Sequence, residues 1–198
     1  NTIYVAPQLG NQYLMPVAQV LSDSVLSQPR ERYILVIQRE RNRVIQNIDL
    51  LVDALTCLAP VKVCTFDQMS FEEQVCCIRS ARAVICAHGA ALTHMMFANQ
   101  ATPFVEIRPF GFSWSGYRRL ADLFGHSLLS LESKPTQQER DALVIGLKHR
   151  QKEFESPTRL RDLVRINKHV RRLVRNVPRV RADVGSILQW LSETFCSS

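Results

Sequence analysis

Residues 83–98 read Ala83-Val84-Ile85-Cys86-Ala87-His88-Gly89-Ala90-Ala91-Leu92-Thr93-His94-Met95-Met96-Phe97-Ala98. A short apolar run, a turn and then a helix-forming stretch predict a strand, a tight turn and a helix. The turn consists of very small residues, and Ala87, Gly89, Ala90 and Ala91 leave a ligand room to approach the backbone. The first N–H groups of a helix have no partner within it, and the dipole behind them favours an anion. His88 stands at the mouth of the turn, where it can donate a hydrogen bond or a proton. The same pattern also describes a strand–helix turn that is only tightly packed.

Outward from this stretch, β-rich runs alternate with helical ones. Residues 33–37, 61–66, 104–107 and 127–131 are further strand candidates. Between them, Val44, Ile48, Leu51, Val52, Leu55 and Leu58 predict one helix over 43–58, which puts Arg43 in its first turn. Ser70-Phe71-Glu72-Glu73 has the pattern of a capping box opening a second helix. Residues 90–98 and 116–124 read as two more. This is the alternation of βαβ units, and it predicts an α/β fold: a Rossmann-like parallel sheet with flanking helices. Residues 33–135 form the expected core. Residues 1–32, with a strand over 2–6 and a helix over 13–27, are a lead-in that joins a sheet edge or arrives from a further domain.

Residues 136–198 are expected to be a helical C-terminal region. Helices are predicted over 136–154 and 184–195. Between Lys148 and Arg181 stand twelve Lys or Arg and three Asp or Glu. Leu163, Ile166, Val170, Leu173 and Val177 line an apolar seam there, so residues 157–177 predict a basic amphipathic helix that Pro178 ends or kinks. The net charge of +7 leaves a nucleic acid or an acidic partner open as a ligand of that helix. The helix has no aromatic residue for base stacking.

Composition narrows the field. With 198 residues, 46% of them hydrophobic, the chain can bury one substantial core. No run approaches the roughly 18 apolar residues of a membrane span. The six cysteines have no zinc-like spacing, and their even number permits disulfides without demanding them. Cys64 and Cys86 fall in apolar runs, where a thiol packs as a small hydrophobe. No Gly-x-Gly-x-x-Gly, phosphate-binding P-loop or Gly-x-Ser-x-Gly is present.

In doubly wound sheets ligands gather at the carboxyl ends of the strands. Reading those ends gives Arg39 and Arg43 after the first strand, His88-Gly89 after 83–87, and Glu106 at the end of 104–107. Arginine forks suit a diphosphate, although both arginines also read as a solvated charge run beside Glu40. Asn47 lies one turn beyond Arg43 in the predicted helix, where it orients that arginine, touches a ligand or is an ordinary surface amide. Glu106 stands in an apolar run and needs a partner: ribose hydroxyls, Arg108 or a helix terminus. His94 and His126 read as packing or helix-surface residues.

Taken in order, these motifs resemble glycosyltransferase family 61. The segments are Arg39, Arg43, Ile45 and Asn47; Met69 to Val75; His88-Gly89-Ala90-Ala91-Leu92-Thr93 with Phe97; Val105-Glu106-Ile107-Arg108-Pro109; and Tyr117. The family includes plant xylan arabinosyl- and xylosyltransferases and animal enzymes that add N-acetylglucosamine to extracellular EGF domains or to O-mannose. The resemblance implies one half of a GT-B glycosyltransferase, mainly the C-terminal, donor-binding domain. The expected reaction is inverting transfer of a xylose, arabinose or N-acetylglucosamine class sugar from a UDP-sugar to a glycan or glycoprotein. No cofactor and no metal are expected, and the sequence has no Asp-x-Asp.

The resemblance also implies residue roles. Arg39 and Arg43 would bind the donor diphosphate with His88, Gly89, Ala90 and Ala91 beside it. Glu106 would lie near the nucleoside end, and Asn47 and Thr93 would support the site. His88 is the one catalytic candidate, and the general base is expected in an N-terminal acceptor domain outside this chain. By the same analogy the compartment is the lumen of the Golgi or endoplasmic reticulum, and nucleic acid is not an expected partner. The sequence departs from the family at Ile48, where Glu is common, and at His94, where Asn is common. The competing readings are a module binding nucleic acid or an acidic partner through the basic helix, and an inactive glycosyltransferase-like scaffold.

Overall fold

The structure, a computed structural model, describes residues 32–112, 114–134 and 177–197. The expected elements over 2–6, 13–27 and 136–154, and the basic helix over 157–177 but for its last residue, lie outside the described residues. Five apolar runs form one sheet: β1 (Tyr33–Ile37), β3 (Val61–Cys64), β4 (Ala81–Ala87), β5 (Phe104–Arg108) and β6 (Leu128–Glu132), in the order β3-β1-β4-β5-β6. Every neighbouring pair is parallel. The sheet is Rossmann-like, with helices on both faces.

Alternation along the strands sorts the core into two layers. Ile34, Val36, Ile85, Val105 and Ile107 face Leu51 and Leu55 of α1 (Ile48–Leu55). Leu35, Ile37, Val84 and Phe104 face the other way, onto Cys77 and Ile78 of α2 (Phe71–Ser80) and Ala121 of α3 (Gly116–Phe124). Covering both faces is what turns strands into continuous apolar runs. Each fully buried Leu or Ile contributes about 1.5–3 kcal/mol. The expected capping box is present: Glu73 N–H donates to Ser70 Oγ at 3.2 Å, and Ser70 N–H donates to Glu73 Oε2 at 2.7 Å. All six cysteines carry free thiols.

Two expected helices take other forms. Residues 43–58 are not one helix, because Val44–Ile45 is a short strand, β2, ahead of α1. Its backbone finds partners elsewhere, in β7 (Arg179–Val180) and in the Gln38 side chain, which donates to Ile45 C=O at 3.0 Å and accepts from Ile45 N–H at 2.9 Å. Those bonds replace the first helical turn. Residues Ala90–Phe97 wind as a 3-10 helix rather than an α-helix. Its three-residue turn puts Leu92 and Met95 directly in line, and both are fully buried.

The chain returns through β7 to α4 (Val184–Cys196), whose Ile187 and Leu191 join the same core layer as α1. The core therefore draws on residues outside 33–135. Asn47 fastens this return: its amide donates to Ala182 C=O at 3.0 Å and accepts from Ala182 N–H at 2.9 Å. Asn47→Ala leaves both backbone groups without that partner, and the expected cost is about 1–3 kcal/mol. A urea titration checks it; a midpoint equal to that of the unsubstituted chain contradicts the clamp.

Candidate functional site

In the sheet order, β1 lies between β3 and β4, so the chain leaves β1 to one side and comes back on the other. The crevice outside the carboxyl ends of β1 and β4 is where such a fold binds ligands. Two loops meet there: residues 38–43 after β1, and the His88–Ala91 turn after β4.

Gln38 shapes the first loop. Besides its bonds to Ile45, its Oε1 accepts from Arg39 N–H at 3.0 Å. Arg39 Nε then donates to Asn42 C=O at 3.1 Å and to Asn42 Oδ1 at 3.2 Å. The Arg39 guanidinium lies directly on Gly89, where a Cβ would collide with Nη1. Glycine at 89 lets the guanidinium lie at this distance, and a larger residue there would displace the Arg39 tip. The side chain of Arg39 is only partly buried, so it remains available to a ligand.

Arg43 departs from its expected setting. It precedes β2 with φ 55, in the left-handed region, at a cost of about 1–2 kcal/mol for a residue with a side chain. It is 9% exposed, and its Nη1 donates to His88 C=O at 2.5 Å. The two arginines thus divide their work. Arg39 faces the crevice, and Arg43 ties the two loops together from beneath.

The His88 ring is held on its other side. Its Nδ1 lies 2.5 Å from Glu106 Oε1, and Ser130 Oγ donates to the second oxygen of the same carboxylate. Sheet register sets this chain of contacts, since Glu106 lies opposite Cys86 on β4 and opposite Ser130 on β6. Glu106 is 2% exposed and both its oxygens are engaged. It therefore neither pairs with Arg108 nor caps a helix, and it acts on the site through His88. Within the chain its partners are His88 and Ser130. With Nδ1 directed at Glu106, Nε2 is the ring's remaining hydrogen-bonding position.

Aromatic rings enclose the imidazole: Phe112 at 4.7 Å, Tyr117 at 5.1 Å and Trp114 at 5.8 Å between centroids. Burial, reinforced by the nearby Glu106 charge, pushes the Tyr117 phenol up to about 12, so it keeps its proton at neutral pH. Beyond His88, the first bond of the 3-10 helix runs from Leu92 N–H to Gly89 C=O at 3.0 Å. The N–H groups of Gly89, Ala90 and Ala91 precede it, as the orphan donors of a helix start do. Thr93 Oγ donates to Ala90 C=O at 2.6 Å and so steadies this turn.

The structure thus brings together Arg39, Arg43, His88, Gly89, Ala90, Ala91 and Glu106, with Thr93 behind them. It sets Asn47 apart on the Ala182 clamp. Gln38, Ser130, Phe112 and Trp114 are site residues that motif reading passes over. Ser130 becomes visible only once strand register is known. The aromatic-rich run after Pro109 was the available signal for Phe112 and Trp114. Among the described residues no three His, Cys, Asp or Glu cluster in a way that would hold a metal ion, and no helix is long and apolar enough to cross a membrane.

A model of the family Glycosyltransferase 61 matches residues 3–105, just over half of the chain, and the chain belongs to that family. The match takes in the 38–43 loop and the His88–Ala91 turn. The protein O-linked-mannose β-1,4-N-acetylglucosaminyltransferase 2 of Takifugu rubripes is 31% identical over 116 residues, 56% of this chain and 20% of that protein. The chain spans about a fifth of the length of this curated relative.

The two other described histidines are packing residues, as expected. His94 lies among Phe66, Phe71 and Phe97, and His126 Nε2 donates to Met95 C=O at 2.9 Å. Burial pushes both imidazoles below their ordinary 6.5. The unfolded chain therefore takes up these protons first, and stability declines as the pH falls below about 6.5, levelling off once the folded-state values are passed. His126→Gln is expected to flatten this decline in urea midpoints between pH 7.5 and 5.5. An unchanged slope contradicts it.

Proposed function

We propose that this chain carries the donor site of an inverting glycosyltransferase that uses a nucleoside-diphosphate sugar. The observation that supports this reading best is the meeting of Arg39 with the His88–Ala91 turn at the β1/β4 switch point. A diphosphate suits such a place, because it accepts both from a guanidinium fork and from backbone N–H groups at a helix start. As the bond from sugar C1 to the diphosphate breaks, negative charge grows on the leaving oxygen. Donors already fixed at that oxygen stabilise the transition state more than the bound substrate.

In this reading Arg39 is the diphosphate ligand. Arg43 positions the turn through the His88 carbonyl. Glu106 and Ser130 fix the His88 ring, whose Nε2 then serves the phosphate or the leaving oxygen. The nucleoside is uridine and the sugar is of the xylose, arabinose or N-acetylglucosamine class, transferred to a glycan or glycoprotein. The acceptor and its general base belong to the facing half of a GT-B enzyme. Charge on the leaving diphosphate is met by protein cations and N–H groups, with no requirement for a divalent metal. The place of work is the secretory lumen.

Arg39→Ala removes a charge-assisted contact worth about 1.5–3 kcal/mol, equivalent to a roughly 10- to 150-fold loss of UDP affinity. Thermal stability in the absence of ligand should change little. Arg43→Ala should instead lower the melting temperature of the free chain, because it leaves the His88 carbonyl without its buried donor. Calorimetric titration of UDP in EDTA, with melting curves, checks both. Wild-type UDP affinity in Arg39→Ala overturns the reading, as does binding of DNA or RNA in place of any nucleotide.

A further inference from the structure

Four large apolar side chains among the described residues are strongly exposed: Leu50, Val63, Phe71 and Trp114. Trp114 is the one that touches the His88 ring. Its indole is 51% exposed, yet it is held on several sides. It meets Tyr117 edge-to-face at 4.7 Å and 86°, and His88 edge-to-face at 5.8 Å and 87°. Its benzo ring rests on Gly116, where any Cβ would collide with it.

Residues 108–112 are also held in place. Gly111 takes φ 71, which favours glycine, and Phe112 N–H donates to Pro109 C=O at 3.1 Å. Arg108 Nη1 donates to Phe112 C=O at 3.1 Å, and the Phe112 ring packs on His88. A half-exposed indole packed against Tyr117, His88 and Gly116 loses little freedom when a flat ligand covers it.

We infer that Trp114 is the stacking platform for the nucleobase of the donor. The inference rests on the donor-site reading above. A nucleoside-diphosphate sugar carries its base and its sugar at opposite ends of the diphosphate, and the β1/β4 crevice is lined differently in its two directions along the sheet. The side toward β3 offers hydrogen-bonding groups, Glu40 and Gln68, whose side chains are paired with each other and suit sugar hydroxyls. The side toward β5 offers the Trp114 indole, which suits a planar base. Every base has a π-face, so this platform supplies affinity for the base without choosing which base.

The test is calorimetric titration of the full chain with UDP, UDP-N-acetylglucosamine and inorganic pyrophosphate, for wild type, Trp114→Ala and Trp114→Phe. The expected result is a roughly 10- to 100-fold weaker UDP affinity in Trp114→Ala, pyrophosphate affinity within twofold of wild type, and most of the loss restored in Trp114→Phe. UDP affinity within twofold of wild type in Trp114→Ala overturns the inference while leaving the donor site standing. An equal loss for UDP and pyrophosphate overturns it as well, by placing Trp114 at the diphosphate. A loss seen only with UDP-N-acetylglucosamine puts the sugar on the indole and overturns the base assignment. If wild type binds none of the three ligands, the donor-site reading itself fails and takes the inference with it. Unchanged far-ultraviolet circular dichroism and melting temperature in both variants separate lost stacking from lost fold.

Discussion

One hydrogen bond, from Arg43 Nη1 to the carbonyl of His88, joins the two halves of the crevice. It crosses from the loop after β1 to the turn after β4 at the place where the sheet reverses its order. Burying a guanidinium costs several kcal/mol unless strong acceptors receive it, so the bond does not form incidentally. It also fixes which groups remain for a ligand. With the carbonyl occupied, the turn presents N–H groups, and Arg39 rather than Arg43 is the accessible cation.

Around that bond the site is supported in layers. Gln38 closes the first loop by giving Ile45 a side-chain substitute for a strand partner. β7 and the Asn47 clamp bring residues 177–197 against the back of the same loop. On the far side, Ser130 and Glu106 hold the His88 ring through strand register alone. Residues distant in sequence therefore determine the angle at which a few atoms face the crevice. On the donor-site proposal, this arrangement keeps donors in place while charge develops on a leaving group, so that little reorganisation is needed during reaction.

Much of this was legible in the chain itself. β1, β4 and β5 appear as apolar runs because both faces of the sheet are covered. Ser70 announced α2 because a capping box is a local contact. The His88–Ala91 turn stood out through its small residues. What failed to show was non-local. Val44–Ile45 has helical periodicity with α1 but pairs with Arg179–Val180, and the sequence holds no local record of that partner. Arg43 reads as a diphosphate ligand or as part of a solvated charge run, because nothing near it in sequence announces the His88 carbonyl that its buried side chain meets. Glu106 needs a partner, as its apolar surroundings indicate, but nothing near it in sequence names the two it finds within the chain, His88 and Ser130. Trp114 lay outside every motif and became informative only when its neighbours in space were known.

The central claim, that the Gly89, Ala90 and Ala91 N–H groups together with Arg39 hold an anionic donor, is tested most directly by amide chemical shifts. A UDP titration of the 15N-labelled chain is predicted to move the Gly89, Ala90 and Ala91 amides most, with the Arg39 Nε–H signal moving alongside them. Saturating UDP that shifts amides elsewhere and leaves these three in place would contradict the account.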